Sequence, residues 1–230
     1  MSDPTLTSFL EKNHFAQGDK PLKFIRKTEH GPLELLFQPL KRTKYAGEIR
    51  YREFVGCRVT FTMRLNVPSR FIVTDRDIAQ NRFVVYLDKR KGRINLEGLR
   101  DDLLARVAEK EWSEHILYQE EVQEALGILF STERQIRRQQ SLTLDPMGLT
   151  YAYRMKSVDL EALDELIPAY LLVSEKVKQA GEPKVKLSAT PLENLFVKHP
   201  YASAILILVG LMLLLAVPFI IIGLIFFIGK

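Results

Sequence analysis

From Tyr201 to Gly229 the chain carries no charged residue, and the run from Ala204 to Val217 is almost purely aliphatic. A helix needs about 20 such residues to cross a hydrocarbon core of roughly 30 Å. In lipid, helix formation is what satisfies the backbone polar groups of a single segment. A C-terminal transmembrane helix over residues 201–229 is therefore the first expectation. A buried core helix of this length would carry a polar face, and none is visible between Ile205 and Phe227. The N-terminus opens Met1-Ser-Asp-Pro-Thr, with neither the basic nor the apolar region of a signal peptide.

These 29 residues would reach about 43 Å as a helix, more than one crossing needs. Tilt or a kink at Pro218 absorbs the excess. The competing arrangement is a re-entrant hairpin turning at Pro218, with arms of about 15 residues that are short for a crossing. Lys184, Lys186 and Lys198 precede the span, and Lys230 follows it. The positive-inside rule then predicts a single-pass, tail-anchored protein with its N-terminal part in the cytoplasm. The single cysteine, Cys57, forms no internal disulfide and fits a reducing compartment.

Removing residues 201–230 takes away one Lys and no acid, leaving 32 basic against 28 acidic side chains. That mild, well-mixed balance is not the signature of a nucleic-acid binder. The expected organisation is an N-terminal arm (1–20), a cytoplasmic domain (21–183), a juxtamembrane tether (184–200) and the span (201–229).

The fold class follows from periodicity. Leu33–Gln38, Glu48–Val55, Cys57–Leu65, Arg70–Thr74 and Arg82–Leu87 read as successive strands, with Gly56 as a bulge or tight bend. Cys57, Val59, Phe61, Met63 and Leu65 alternate inward, while Ile49, Tyr51 and Val55 share a face of the preceding strand. This predicts an antiparallel meander, wet on one side. Helices are predicted at Leu96–Lys110 and Glu120–Phe130, and the N-terminal arm is either a short helix over Pro4–Asn13 or disordered. A hairpin is predicted around Asp145-Pro-Met-Gly148. Ser157 or Asp159 caps a further helix that Pro168 should kink or split. The chain is thus α+β, an antiparallel meander sheet plus helices, followed by the transmembrane helix.

No motif carries obvious chemistry. The histidines (His14, His30, His115, His199) have no partners at metal-ligand spacing. No nucleophile elbow, Walker sequence or dinucleotide fingerprint is present. Among the acid pairs, Asp75/Asp77 at a strand end is the best candidate for acid–base or Mg²⁺ work; Asp101/Asp102 and Glu120/Glu121 suit helix starts. The expectation is no catalytic, metal or cofactor site.

Basic clusters are the other signal: Lys20 to Lys27; Lys41, Arg42 and Lys44; Lys89, Arg90, Lys91 and Arg93; and Arg134, Arg137 and Arg138. Near an anionic bilayer each such charge contributes about 1 kcal/mol. Lys89, Arg90, Lys91, Arg93, Lys184, Lys186 and Lys198 are the candidate membrane or partner contacts. Small residues recurring through the span (Ser203, Gly210, Ala216, Gly223) could line a helix-packing face. The expected partners are the lipid bilayer and a membrane protein or a second copy, without nucleic acid. The expected function is a non-catalytic accessory or scaffold protein whose domain binds a partner at the membrane surface. The alternatives are a membrane-surface hydrolase or transferase, or a ligand-sensing module.

Overall fold

The computed structural model describes residues 4–46, 49–76, 94–131 and 140–187, together with Val209, Gly210 and Met212. The chain divides into two units, residues 1–188 and 189–230. The first is α+β, with nine strands and four helices among the described residues. In the second, Val209, Gly210 and Met212 are helical and exposed. Among the described residues no helix is long and apolar enough to cross a membrane. The other residues of the expected span lie outside them.

Helix α1 (Pro4–Lys12) opens the chain. Strands β1 (Ala16–Gln17), β2 (Lys23–Thr28), β3 (Gly31–Ala46), β4 (Ile49–Met63) and β5 (Phe71–Asp75) follow. Then come β6 (Ile94–Leu96), β7 (Leu103–Val107), α2 (Lys110–Leu117) and α3 (Glu120–Leu129). Strands β8 (Ser141–Asp145) and β9 (Gly148–Met155) precede α4 (Leu160–Gln179). The strands form one antiparallel sheet in the order β1-β2-β3-β4-β9-β8-β5-β7-β6.

The meander holds from β1 to β4 and then breaks. Hairpin β8–β9 inserts between β4 and β5, so Arg70–Thr74 is not the next neighbour of β4. The connection from Arg64 to Arg70 easily spans the resulting three strand spacings, about 14 Å. Insertion is favoured because β9 brings Tyr151, Tyr153 and Met155 opposite Phe61, Val59 and Cys57 on the same face. Phe61 lies 5.7, 6.2 and 5.4 Å from the rings of Tyr151, Tyr153 and Tyr170.

The expected helix over Leu96–Lys110 is a second correction, because residues 103–107 are strand β7. Leu99, Leu103, Leu104 and Val107 do fit a helical stripe, yet Leu103, Ala105 and Val107 also alternate. Pairing with β5 on one side and β6 on the other selects the period of two. The helix begins only at Lys110, and α2 was not anticipated.

Where the expectations hold, the side chains say why. Cys57, Val59, Phe61, Met63 and Leu65 are all buried. Asp159 caps α4 by accepting the Ala162 amide at 3.0 Å. Pro168 does not split α4: it sits on the exposed face, where the carbonyl deprived of a partner meets water. The opposite face buries Leu163, Leu166, Ile167, Tyr170, Val173 and Val177. Tyr170 also donates to the Leu149 carbonyl oxygen at 2.6 Å, tying α4 to β9.

Candidate functional site

Strands β3 and β4 pair along their whole length, but the sheet supports only their inner halves. Strand β2 covers β3 from Gly31 to Leu36, and β9 covers β4 from Cys57 to Met63. Beyond these limits the pairs Lys41–Phe54 to Ala46–Ile49 form a two-stranded ribbon leaving the body of the sheet. Among the described residues Phe37 is the last buried residue of β3, and Gly56 the first buried residue of β4. Glu48–Val55 and Cys57–Leu65 are therefore largely one strand, and the outer part has no buried face. Tyr45 is 70% exposed, Tyr51 45%, Phe54 53% and Val55 40%, against the expectation of an inward row.

A β-bulge sorts the charges on this ribbon. The register shifts between Leu40 and Lys41, so that Leu40 faces Gly56 while Lys41 faces Phe54, leaving Val55 as the extra residue. Gly56, at φ 140°, supplies the backbone conformation the distortion requires. Directly opposed residues share a face. One face therefore holds Lys41, Thr43 and Tyr45 with Phe54, Arg52 and Arg50, and no acid among the described residues. The other holds Arg42 and Lys44 with Glu53 and Tyr51, and Lys44 pairs with Glu53 at 2.6 Å. In an unbulged register, with Val55 paired to Lys41, Glu53 would oppose Thr43 and lie among the first set.

The second cluster is internal. Asp75 ends β5 on the core face and is 5% exposed. One step past the Thr74–Ser141 and Ser141–Ala152 pairs, the register projects Asp75, Gln140 and Tyr153 into one row. Tyr151 is stacked on Tyr153 at 5.6 Å and donates its hydroxyl to the Leu129 carbonyl oxygen. Burial, reinforced by Tyr153 and Asp75, pushes the Tyr151 phenol well above its ordinary value. This row is a polar patch inside a packed core. A surface depression of about 590 Å³ lies elsewhere, between Arg26–His30 and Leu171 and Glu175.

The remaining sequence candidates fall as follows. Lys184 bonds the Glu111 carboxylate, and Lys186 pairs with Glu182; all four side chains are well exposed. Lys89, Arg90, Lys91, Arg93 and Lys198 lie outside the described residues, as do Asp77, Arg82–Leu87 and Arg134, Arg137 and Arg138. Among the described residues no cluster of three His, Cys or acidic side chains could hold a metal. Cys57 is buried, which raises its thiol above the usual value and keeps it unreactive. The ribbon was half visible in sequence, as the Lys41–Lys44 cluster and the alternation after Glu48. What joined the halves was their pairing.

No family model, curated protein or solved structure matches this chain.

Proposed function

We propose that this chain is a membrane-held accessory or scaffold protein. In this reading the apolar segment 201–229 anchors it, the N-terminal domain lies in the cytoplasm, and that domain docks on a partner protein at the membrane surface. The observation that carries the reading is the projecting β3–β4 ribbon. Its Tyr45 and Phe54 are largely exposed beside Lys41, Arg50 and Arg52, and aromatic and Arg side chains are the usual anchors of interfaces. The Lys89–Arg93 cluster adds charge of the same sign.

The test is isolation of the full chain from its native membranes after mild cross-linking. A companion protein should be retained in fixed ratio. Its retention should fall when Lys89, Arg90, Lys91 and Arg93 are changed to Glu, with the fold intact. Retention of no companion overturns the reading. A catalytic or ligand-sensing role has one observation in its favour, the buried Asp75 beside Gln140 and Tyr153. If Asp75→Asn abolished the cellular function while the charge reversals did not, that role would replace the docking one.

A further inference from the structure

We infer that the acid-free face of the β3–β4 ribbon is a contact for anionic phospholipid headgroups, with Tyr45 and Phe54 entering the interfacial zone beside Lys41, Arg50 and Arg52. This deepens the membrane-held reading and rests on it for the presence of a bilayer nearby.

The composition of the ribbon selects the occupant. Three cations and two exposed aromatics alternate along about 13 Å of one face, with no carboxylate among the described residues to neutralise them. Cations attract anionic lipid surfaces, and aromatic rings settle at the headgroup level. The two faces differ. The second carries Tyr51 and Arg42 beside the Lys44–Glu53 ion pair, a mixed surface that suits a protein partner, while the Lys41 face holds cations and rings with no acid among the described residues and suits anionic lipid. Single-stranded nucleic acid would also use cations and stacking rings, but the anchoring segment and the modest overall charge do not favour it.

The bulge accounts for that face: against an unbulged register, in which Glu53 would oppose Thr43, the shift at Val55 leaves it with no acid among the described residues.

The experiment uses the full chain carrying Thr43→Cys, labelled with an environment-sensitive dye, in vesicles of neutral phosphatidylcholine or with 30% phosphatidylserine. Buried Cys57 stays unlabelled in the folded protein, and its protection reports folding in every variant. The expected result is a blue shift and shielding from aqueous quencher with phosphatidylserine only, weakened by salt. Changing Lys41, Arg50 and Arg52 to Glu should lower the ribbon's apparent affinity on the order of 100-fold, from about one tenfold step or less per charge. The same reversals at exposed Lys12, Lys156 and Lys178 should leave it nearly unchanged. An absent shift, or an equal shift in neutral vesicles, overturns the proposal. So does a shift produced by an acidic peptide or oligothymidylate but not by phosphatidylserine. Alkaline extraction of the same vesicles tests the anchor separately. A chain that is extracted yet still shows the phosphatidylserine-dependent shift loses the anchor and keeps the ribbon contact.

Discussion

The indole N–H of Trp112 donates to the carbonyl oxygen of Gly181 at 3.2 Å, joining the first turn of α2 to the residue where the chain leaves α4. Gly181 adopts φ 72°, a left-handed conformation that suits the end of a helix. Just beyond it, the Glu109 carboxylate accepts the backbone amides of Lys184 and Val185 at 3.2 and 3.1 Å. Leu187 then donates its amide to the Pro68 carbonyl oxygen at 2.8 Å. Residues 184–187 are thus strapped to the domain. They leave it beside the loop that follows β4, at the opposite end of that strand from the ribbon tip.

The strap predicts a difference between two truncations. Residues 1–183 contain every apolar face of the core and should fold cooperatively. Residues 1–187 keep three further backbone hydrogen bonds, two of them to a carboxylate, besides the exposed Lys184–Glu111 and Lys186–Glu182 ion pairs. Such bonds contribute about 1 kcal/mol each net of exchange with water, and less where exposed, so the gain should be about 1–2 kcal/mol. That corresponds to several degrees in Tm for a domain of this size. Equal melting temperatures by calorimetry would mean the strap is carried passively.

Its pH dependence has a definite sign. A hydrogen bond from Lys184, helped by its charge, holds the Glu111 carboxyl below its ordinary value of 4.5. A carboxylate with a lowered folded value contributes fully above the unfolded value, and its contribution is lost as pH falls through the folded one. The Glu111–Lys184 contact should therefore be intact at neutral pH and dissolve only below about 4.5. Carboxyl ¹³C titration should place Glu111 under that value, and Lys184→Met should return it there. No change in the Lys184 variant would show that the ion pair is not formed in solution.

Local alternation made half of the sheet legible, and pairing supplied the rest. The inward row from Cys57 to Leu65 is readable because Arg58, Thr60, Thr62 and Arg64 alternate with it. Residues 96–110 were misread because Leu99, Leu103 and Val107 satisfy two periods, and only strands β5 and β6 decide between them. The ribbon escaped for a different reason. Its alternation is real, but alternation normally implies a buried face, and nothing in a single sequence says that β2 and β9 stop short of it. The strap was equally hidden, since its partners Glu109, Glu111 and Trp112 lie some seventy residues upstream of the groups they bond.

Gly148 opens β9 at φ 148°, and a Cβ placed there would collide with the Met63 carbonyl oxygen. Asp145 holds the same turn by accepting the amides of Met147 and Gly148 through Oδ1 at 2.8 and 3.2 Å. Gly148→Ala should therefore cost more than the 1–3 kcal/mol typical of backbone strain alone, because strand β4 must also move. Asp145→Ala loses only the turn bonds and should cost about 1–2 kcal/mol. Denaturant titration should rank the two in that order. The reverse order would mean that the close approach of β9 to Met63 relaxes easily.

Reversing one charge on each face of the ribbon tests what the sorting of charges accomplishes. Arg52→Glu puts an acid on the Lys41 face, and Arg42→Glu makes the same change on the other. Stability should change little, since both positions are exposed. Arg52→Glu should lower salt-sensitive association with anionic vesicles about tenfold, and Arg42→Glu by clearly less. Deleting Val55 removes only the extra residue: Leu40 still faces Gly56 and Lys41 still faces Phe54, so no residue changes partner and association should be retained. Equal losses from the two reversals would show that the sorting of Glu53 away from Lys41 is irrelevant to binding.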